Sequence, residues 1–464
     1  MTLLRHVRSM IAAAAPALAL LAACAPLPPS AVADSPAPAV LWVQADAQGG
    51  WSIRALTAAA QCPTLRWAQG ELPMQTRAAP GRVAPRGDAV QADAKPADFP
   101  SRSCEVAWPA GAAQVQSGAQ VLKRPAAEPR RIVLVGDTGC RMKASEQAFQ
   151  DCNDPERWPW ASVARSAAAK VPDLVIHLGD LHYRESPCPA DKPGCAGSPW
   201  GYGQDAWEAD LFRPAAPLLA AAPWVFVRGN HESCSRAGAG WFRYLDARPW
   251  SAPAACVSAP NDLAADFTEP YAVALSADSQ LIVFDSAYSA GKAYPVGSPV
   301  AARYAAQLQR VSELARNKAH NFFLNHHPVL AFGGSASGQP KPGSAGLLSV
   351  MAAVHPARLY AEGVDVVLNG HVHLFQALGF ASGHPATLDL GNSGSAMEGR
   401  VDAALALRAQ PAPGAVVEAY ATQDGFGFAT LDREADGWRL TEYDTQGHAL
   451  AVCTLRGAKL ACGG

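Results

Sequence analysis

Five short apolar runs in this chain each end in side chains able to hold a metal ion, and that recurrence constrains the fold more than any other feature. The runs are Arg131 to Asp137 (RIVLVGD), Pro172 to Tyr183 (PDLVIHLGDLHY), Trp224 to Asn230 (WVFVRGN, continued by His231-Glu232), Asn321 to Pro328 (NFFLNHHP) and Val364 to His373 (VDVVLNGHVH). Unbroken stretches of Val, Ile, Leu and Phe of this length read as strands covered on both faces. Gly136, Gly179 and Gly229 permit a sharp turn where three of the runs stop. Side chains delivered there sit at the carboxyl ends of strands, the edge at which open α/β sheets carry their chemistry. One Gly-Asp after a strand is ordinarily only a turn; five such ends in this order point to a shared site.

Around these runs strands and helices alternate. Strands are expected at 131–137, 173–179, 224–229, 270–276, 281–285, 321–325 and 364–369. Helices are expected over Ala161 to Lys170, Asp205 to Ala221, Val300 to Lys318 and Leu347 to Glu362, amphipathic or Ala-rich with Gly or Pro near their ends. That alternation argues α/β with a buried mixed sheet or pair of sheets. Thr387 to Leu390, Phe426 to Leu431, Trp438 to Tyr443 and Leu450 to Leu455 follow as antiparallel strands, expected to close the second sheet. The earlier chain differs: 39–125 is punctuated by Gly and Pro and reads as a small β-rich domain, with 78–100 as a long loop inside it. Lys123 to Arg131 reads as the boundary to a catalytic domain over 130–464. Residues 185–204 are too rich in Pro and Gly for regular structure and are expected to overhang the Asp180 motif as a disulfide-braced loop. No Walker loop, dinucleotide glycine fingerprint or internal repeat stands out.

Composition narrows the function. A formal net charge of -2 with 17% charged residues gives no broad basic field, so nothing supports a nucleic-acid-binding surface, and any phosphate partner must be recognised locally. Residues 1–23 read as an export signal, with Arg5, His6 and Arg8 before an apolar run, Ile11 to Ala23, too short to span a bilayer. Leu21-Ala22-Ala23-Cys24 resembles the lipobox of bacterial lipoproteins, in which the cysteine carries the lipid; 24–38, with its prolines, would be the tether. The alternative is an ordinary signal peptide cleaved nearby. Either way the chain is expected to be exported, the lipid anchor placing it on the periplasmic side of a bacterial envelope membrane. Setting Cys24 aside leaves ten of the eleven cysteines, an even number that suggests disulfides. Pairing sequence neighbours would join Cys62 with Cys104, Cys140 with Cys152, Cys188 with Cys195, Cys234 with Cys256 and Cys453 with Cys462, although sequence does not decide connectivity. No tight Cys-x-x-Cys pair marks a thiolate metal site.

The candidate ligands are Asp137, Asp180, Tyr183, Asn230, His326, His371 and His373. Carboxylate, phenol, amide oxygen and imidazole together suit Fe, Mn or Zn better than thiolate-seeking ions. In order, GDTG at 136–139, GDLHY at 179–183, GNHE at 229–232, NHHP at 325–328 and GHVH at 370–373 resemble the motifs of the calcineurin-like metallophosphoesterases. Commoner members carry Asp-x-His at the first motif; Asp137-Thr138-Gly139 with Tyr183 after the second resembles the purple acid phosphatase variant. The resemblance spans roughly 131 to 375.

It implies a four-layer αββα sandwich after the β-rich region, and two metal ions. Asp137, Asp180, Tyr183 and His373 would hold Fe(III); Asp180, Asn230, His326 and His371 would hold Fe, Zn or Mn, with Asp180 bridging. His327 matches a position that is usually not a ligand. Two cations about 3.5–4 Å apart bind phosphate oxygens and lower the pKa of a water that then attacks phosphorus. His231 would face the phosphate as hydrogen-bond donor or general acid, and His182 would add an outer contact to the substrate. Arg141, Arg184, Glu185 and Arg228 lie near the motifs, with surface or ion-pair roles expected; His320, His327, His355 and His384 are expected to be structural or exposed, and so is His182 if it makes no substrate contact. The function implied is acid phosphatase-type hydrolysis of small phosphate monoesters by a metal-bound hydroxide. A phosphodiesterase or nucleotidase of the same fold is the alternative, and a non-catalytic envelope binding protein is a further one.

Overall fold

The apolar runs form the central strands of two mixed β-sheets. The computed structural model describes residues 40–85, 94–289 and 291–463, so the export signal, Cys24 and the proline-rich stretch lie outside the described residues. In the first sheet Val40–Ala45 (β1), Arg131–Val135 (β2), Leu174–His177 (β3) and Trp224–Phe226 (β4) run parallel, side by side in the order β2-β3-β4-β1. In the second sheet Ser279–Val283 (β5), His320–Leu324 (β6), Val364–Asn369 (β7) and Ala386–Leu390 (β8) are parallel neighbours in chain order. Antiparallel strands extend both, to eleven and seven strands.

The period-2 alternation of each strand divides its side chains between two cores. Ile132 and Leu134 of β2, Ile176 of β3 and Val225 of β4 meet Leu281, Phe322, Val366 and Leu388 between the sheets. Their alternate neighbours Val133, Val135 and Val175 face outward, packed with Trp160–Ala169 (α1), Ala216–Ala221 (α2) and Gly238–Tyr244 (α3). Ile282, Phe323 and Val367 face outward from the second sheet onto Pro299–Ala315 (α4) and Ala345–Val354 (α5). The result is the expected helix, sheet, sheet, helix stack. Each fully buried Val, Leu, Ile or Phe contributes roughly 1.5–3 kcal/mol, so both faces of the central strands resist polar substitution.

Four expectations are corrected. The helix expected over Asp205 to Ala221 is three pieces: Gln204–Trp207, a π-helical turn Glu208–Phe212, and α2. Pro214 lacks the N–H and obstructs the preceding turn, so a continuous helix is not available. α5 ends at Val354 rather than near Glu362, because Pro356 disfavours helical backbone at His355. Of the four C-terminal strands, only Ala386–Leu390 lies in the second sheet. Gly427–Glu434 pairs antiparallel with β2, and Gly437–Asp444 and Ala449–Arg456 follow, extending the first sheet. Finally, the 78–100 loop contains a ribbon, Gly81–Val83 against Ala97–Phe99.

Residues 39–125 are β-rich. Trp51–Thr57, Arg102–Ala107 and Gln75–Ala78 continue the first sheet beyond β1, while Thr64–Trp67, Gly70–Pro73, Gln114–Ser117 and Gln120–Lys123 form a four-stranded sheet of their own. The five expected disulfides are all present, Cys62–Cys104, Cys140–Cys152, Cys188–Cys195, Cys234–Cys256 and Cys453–Cys462. No described helix is long and apolar enough to cross a membrane.

Candidate metal centre

Three of the expected ligands sit in strained backbone. Asp137 and Asp180, just past the ends of β2 and β3, have φ of 54°, and His371, past β7, has φ of 75°. Left-handed backbone costs a residue with a Cβ roughly 1–2 kcal/mol, and such strain gathers where a site dictates geometry. The turns hold one another: Asp137 N–H donates to the Gly179 carbonyl (3.0 Å), Thr138 N–H to the Asp180 carbonyl (3.1 Å), and His371 N–H to Asp137 Oδ2 (2.8 Å). Gly179, itself at φ 97°, leaves room for an imidazole; a Cβ there would stand 2.6 Å from His326 Nδ1. His371 and His373 lie in the bend between β7 and Phe375–Phe380.

The seven expected ligands gather at this edge. Tyr183 Oη is 2.7 Å from Asp137 Oδ1, 3.0 Å from Asp180 Oδ2 and 2.9 Å from His373 Nε2. One hydroxyl hydrogen cannot serve three acceptors, and four donor atoms this close suit a shared cation. Across Asp180, His326 Nε2 lies 3.0 Å from the same Oδ2, without the alignment of a hydrogen bond. Asp137, Asp180 and His326 offer ligand atoms within 4.8 Å of one another, as do His326, His327 and His371. Asn230 Oδ1 is buried with no hydrogen-bond partner among the described residues. Buried oxygen and imidazole atoms left unpaired are costly unless something binds them, so the residues fit a metal centre.

Neighbouring carbonyls decide which imidazole nitrogen faces inward. His326 Nδ1 is 2.8 Å from the Leu178 carbonyl and His373 Nδ1 2.6 Å from the Ala396 carbonyl. A carbonyl only accepts, so Nδ1 carries a hydrogen in both rings and Nε2 is the nitrogen turned toward the site. Burial opposes charge on Asp180, but His326 and His231 outweigh it and hold that carboxyl well below the usual range. Burial likewise opposes charge on His326, while Asp180 and Asp137 push its imidazole up to about 10. His371, desolvated and beside His326, is pushed down to about 4. The cluster is thus electrostatically frustrated: carboxylates and imidazoles share one desolvated space, and the imidazoles cannot all be charged.

Other residues that build the site escaped the sequence reading. Glu232, in the GNHE motif but given no role, accepts the N–H groups of Asp180 (3.0 Å), Leu181 (2.8 Å), His182 (3.1 Å) and Gly229 (3.0 Å), tying the β3 and β4 turns together. Asp210, fully buried in the π-helical turn, accepts from Tyr183 N (2.9 Å), Cys140 N (3.0 Å) and Arg184 Nε (2.6 Å). Ser286 Oγ accepts from the backbone N of His326 and of His327, each at 3.2 Å. The Glu in GNHE was a visible signal; Asp210 and Ser286 had none.

Around this set, His231 Nδ1 lies 2.6 Å from Glu185 Oε1 and its Nε2 3.8 Å from Asp180 Oδ2. Burial and the Arg236 guanidinium push its imidazole down to about 4, against Asp180 and Glu185. His182 is fully buried, and its ring contacts are Tyr202 and Trp207 (centroids 5.6 and 5.5 Å) rather than any ligand; that placement does not fit the expected substrate contact. Its motif position puts it beside Asp180 in sequence, but the turn aims it into the layer behind. His327, at a position that is usually not a ligand, has a ring nitrogen within 4.8 Å of those of His326 and His371, and its Nδ1 lies 3.1 Å from Ser286 Oγ. Arg184 pairs with Asp210, and Arg228 with Asp266 (2.8 Å) and Asp285 (3.2 Å), both inside the fold. His320 pairs with Asp365, His355 with Ser312 and His384 with Ser382, away from the set. A cavity of about 280 Å³ beside His320 and Asp365 lies where β6 and β7 begin, so donor chemistry rather than empty volume marks the site.

A family model described as calcineurin-like phosphoesterase matches residues 130–375. Among solved structures, a structure of PhoD aligns with a TM-score of 0.55 and 12% identity over 92% of this chain and 91% of its own. Purple acid phosphatase PPD1 from yellow lupin (Lupinus luteus) seeds aligns with a TM-score of 0.52 and 12% identity, over 90% of this chain and 74% of its own. At that identity the two show a common fold. No curated protein sequence matches.

Proposed function

The chain belongs to the calcineurin-like phosphoesterase family and is a metal-dependent phosphate-ester hydrolase; from that premise we propose that it is an acid phosphatase acting on small phosphate monoesters at a dinuclear centre. In this reading Asp137, Asp180, Tyr183 and His373 hold one ion, Fe(III), and Asp180, Asn230, His326 and His371 hold the other, Fe, Zn or Mn. The observation that carries it is the convergence of Asp137, Asp180 and His373 on Tyr183 Oη within 3.0 Å. A phenolate donor suits a ferric ion. Bound there, two cations would offset phosphate charge and acidify a water.

The chain's own residues supply the rest. Asp180 stands between the two halves of the ligand set, with Oδ1 accepting His231 N–H (2.8 Å) and Oδ2 turned toward Tyr183 and His326. Leu178 and Ala396 keep the ring hydrogens of His326 and His373 away from the centre. Glu185 orients His231 through Nδ1 and Arg236 Nη2 stands 2.8 Å from its Nε2, so the ring is held in place beside the centre; as a general acid it would have to be protonated, which suits acidic conditions. Residues 130–464 would carry the catalysis, behind the β-rich 39–125. We also place the protein in the bacterial envelope, anchored through Cys24 on the strength of the lipobox-like Leu21-Ala22-Ala23-Cys24; the five disulfides suit an oxidising compartment.

The visible absorption spectrum and metal content of the purified protein test the proposal. A broad band in the green that vanishes in Tyr183→Phe is expected. A colourless protein holding two metal ions would remove the ferric role of Tyr183 and favour a diesterase or nucleotidase working nearer neutrality.

A further inference from the structure

Arginines near the centre differ in how many of their donors are already used. Arg141 gives Nη2 to Glu146 (2.5 Å) and Nη1 to Glu398 (3.2 Å). Arg184 and Arg228 are committed to buried carboxylates. Arg236 is different. Its Nε donates to Glu185 Oε2 (3.1 Å) and its Nη2 to Glu185 Oε1, while Nη2 also stands 2.8 Å from His231 Nε2. Among the described residues nothing accepts from Nη1. A guanidinium carries five N–H donors in one plane, so pairing one edge with a carboxylate leaves the others available.

The local fold brings this side chain back over the site. After Asn230–Glu232 the chain turns, with Arg236 N–H donating to the Ser233 carbonyl (3.0 Å) and Ala237 N–H to the His231 carbonyl (3.1 Å). Cys234–Cys256 and the bond from Cys234 N–H to Asp266 Oδ1 (2.7 Å) pin that turn. The guanidinium is therefore a fixed cation one imidazole away from Asp180, at an edge otherwise lined with carboxylates.

We propose that Arg236 reads the second negative charge of a phosphate monoester by donating from its free edge to a non-bridging oxygen beside His231. This rests on the phosphatase reading above. A monoester loses its second proton near pH 6, about where a fixed cation begins to discriminate; a diester has one charge and one fewer non-bridging oxygen to offer. Glu185 holds the guanidinium in plane and partly neutralises it, so the free enzyme does not carry an isolated buried charge.

Metal-loaded wild type, Arg236→Met and Arg236→Lys are compared on an aryl monoester and a bis-aryl diester, with inorganic phosphate affinity measured by calorimetry and folding checked by Tm. In Arg236→Met, kcat/KM for the monoester is expected to fall about 10–100-fold, chiefly through KM, the size of one charge-assisted hydrogen bond. Diester turnover should fall several-fold less, phosphate affinity should fall in parallel with the monoester, and Arg236→Lys should lie between. Equal losses on both esters with phosphate affinity retained would mean that Arg236 only holds His231 and Glu185, and would overturn the proposal, as would no loss at all. If wild type hydrolyses neither ester, the phosphatase reading fails. Phosphate affinity then decides for Arg236: lost in Arg236→Met, the assignment stands; retained, it falls.

Discussion

The two sheets contribute to the centre in chemically different ways. The first delivers oxygens, from Asp137, Asp180, Tyr183 and Asn230, and the second delivers nitrogens, from His326, His371 and His373. Their supports differ too. The oxygen side is covalently stapled: Cys140–Cys152, Cys188–Cys195 and Cys234–Cys256 all lie in loops that follow β2, β3 and β4. The nitrogen side has no disulfide among its described residues and is held by side-chain amides and a serine. Asn369 Nδ2 donates to Asn325 Oδ1 (2.6 Å) and to its carbonyl (3.1 Å), and Asn325 Nδ2 to the His327 carbonyl (2.6 Å). On both sides the turns just past the parallel strands are held by hydrogen bonds between neighbours; the long irregular loops that continue from the oxygen side carry the cross-links as well.

A seam joins the halves. The loop after β8 crosses from the second sheet to the first: Ser393 N–H donates to the Gly136 carbonyl (3.2 Å) and Ser395 N–H to the Asp137 carbonyl (2.7 Å). Ala396 in the same loop orients His373, and Asn392 Nδ2 donates to Glu442 Oε1 (2.9 Å) in the first sheet. The oxygen and nitrogen donors are therefore set relative to each other by backbone contacts, which no single motif encodes.

The largest break should come from Asn369→Ala. Losing the amide frees Asn325 and with it the His326-His327 pair, so metal content and activity should fall about 10–100-fold, the usual cost of removing a support behind a ligand. Metal analysis and kcat/KM read this; full metal occupancy with normal turnover would show that the amide pair does not support the nitrogen side. Next, replacing Cys234 and Cys256 together by Ser should lower stability by about 3 kcal/mol through the freed loop, measured by denaturant unfolding. A comparable loss of histidine-side metal binding would erase the contrast between the two halves. The smallest effect concerns the seam. Glu442 is fully buried, and desolvation raises its carboxyl well above the usual value despite the Asn392 donor. Its stabilising contribution is complete below the unfolded value of about 4.3 and is lost as pH rises toward the folded one. Glu442→Gln, neutral at every pH, should therefore gain Tm over wild type progressively between pH 4.5 and 7.5; a constant difference would mean that Glu442 is not neutral in the fold.

Much of this was legible in residue order. The central strands were readable because a strand buried on both faces must be apolar throughout, and the turns after them because Gly179 and Gly229 leave space that a Cβ would fill. The cysteine pairs fell out of proximity along the chain. Less could be read where the cause lay elsewhere in space. Pro214 was visible, yet the π-helical turn that presents Asp210 to Tyr183 depends on what packs against it. Gly427–Glu434 had a clear strand pattern, but which sheet edge it completes depends on the open side of β2. His182 and His327 show the limit of motif position: it offered one to the substrate and set the other outside the ligands, whereas which groups each ring meets, Tyr202 and Trp207 for one and Ser286 for the other, is decided by the turns that carry them.

By itself the sequence determined the donor inventory and the order in which strands deliver it, because these depend on side-chain chemistry and short-range spacing; the cysteine pairing it suggested by proximity was decided by the structure. Only the tertiary structure decided which oxygen meets which nitrogen, which imidazole nitrogen faces inward and which arginine keeps a free edge. Those are relations between atoms far apart in the chain, set by the packing of two sheets and by partners such as Glu232, Ser286 and Ala396 whose roles exist only once the strands are side by side.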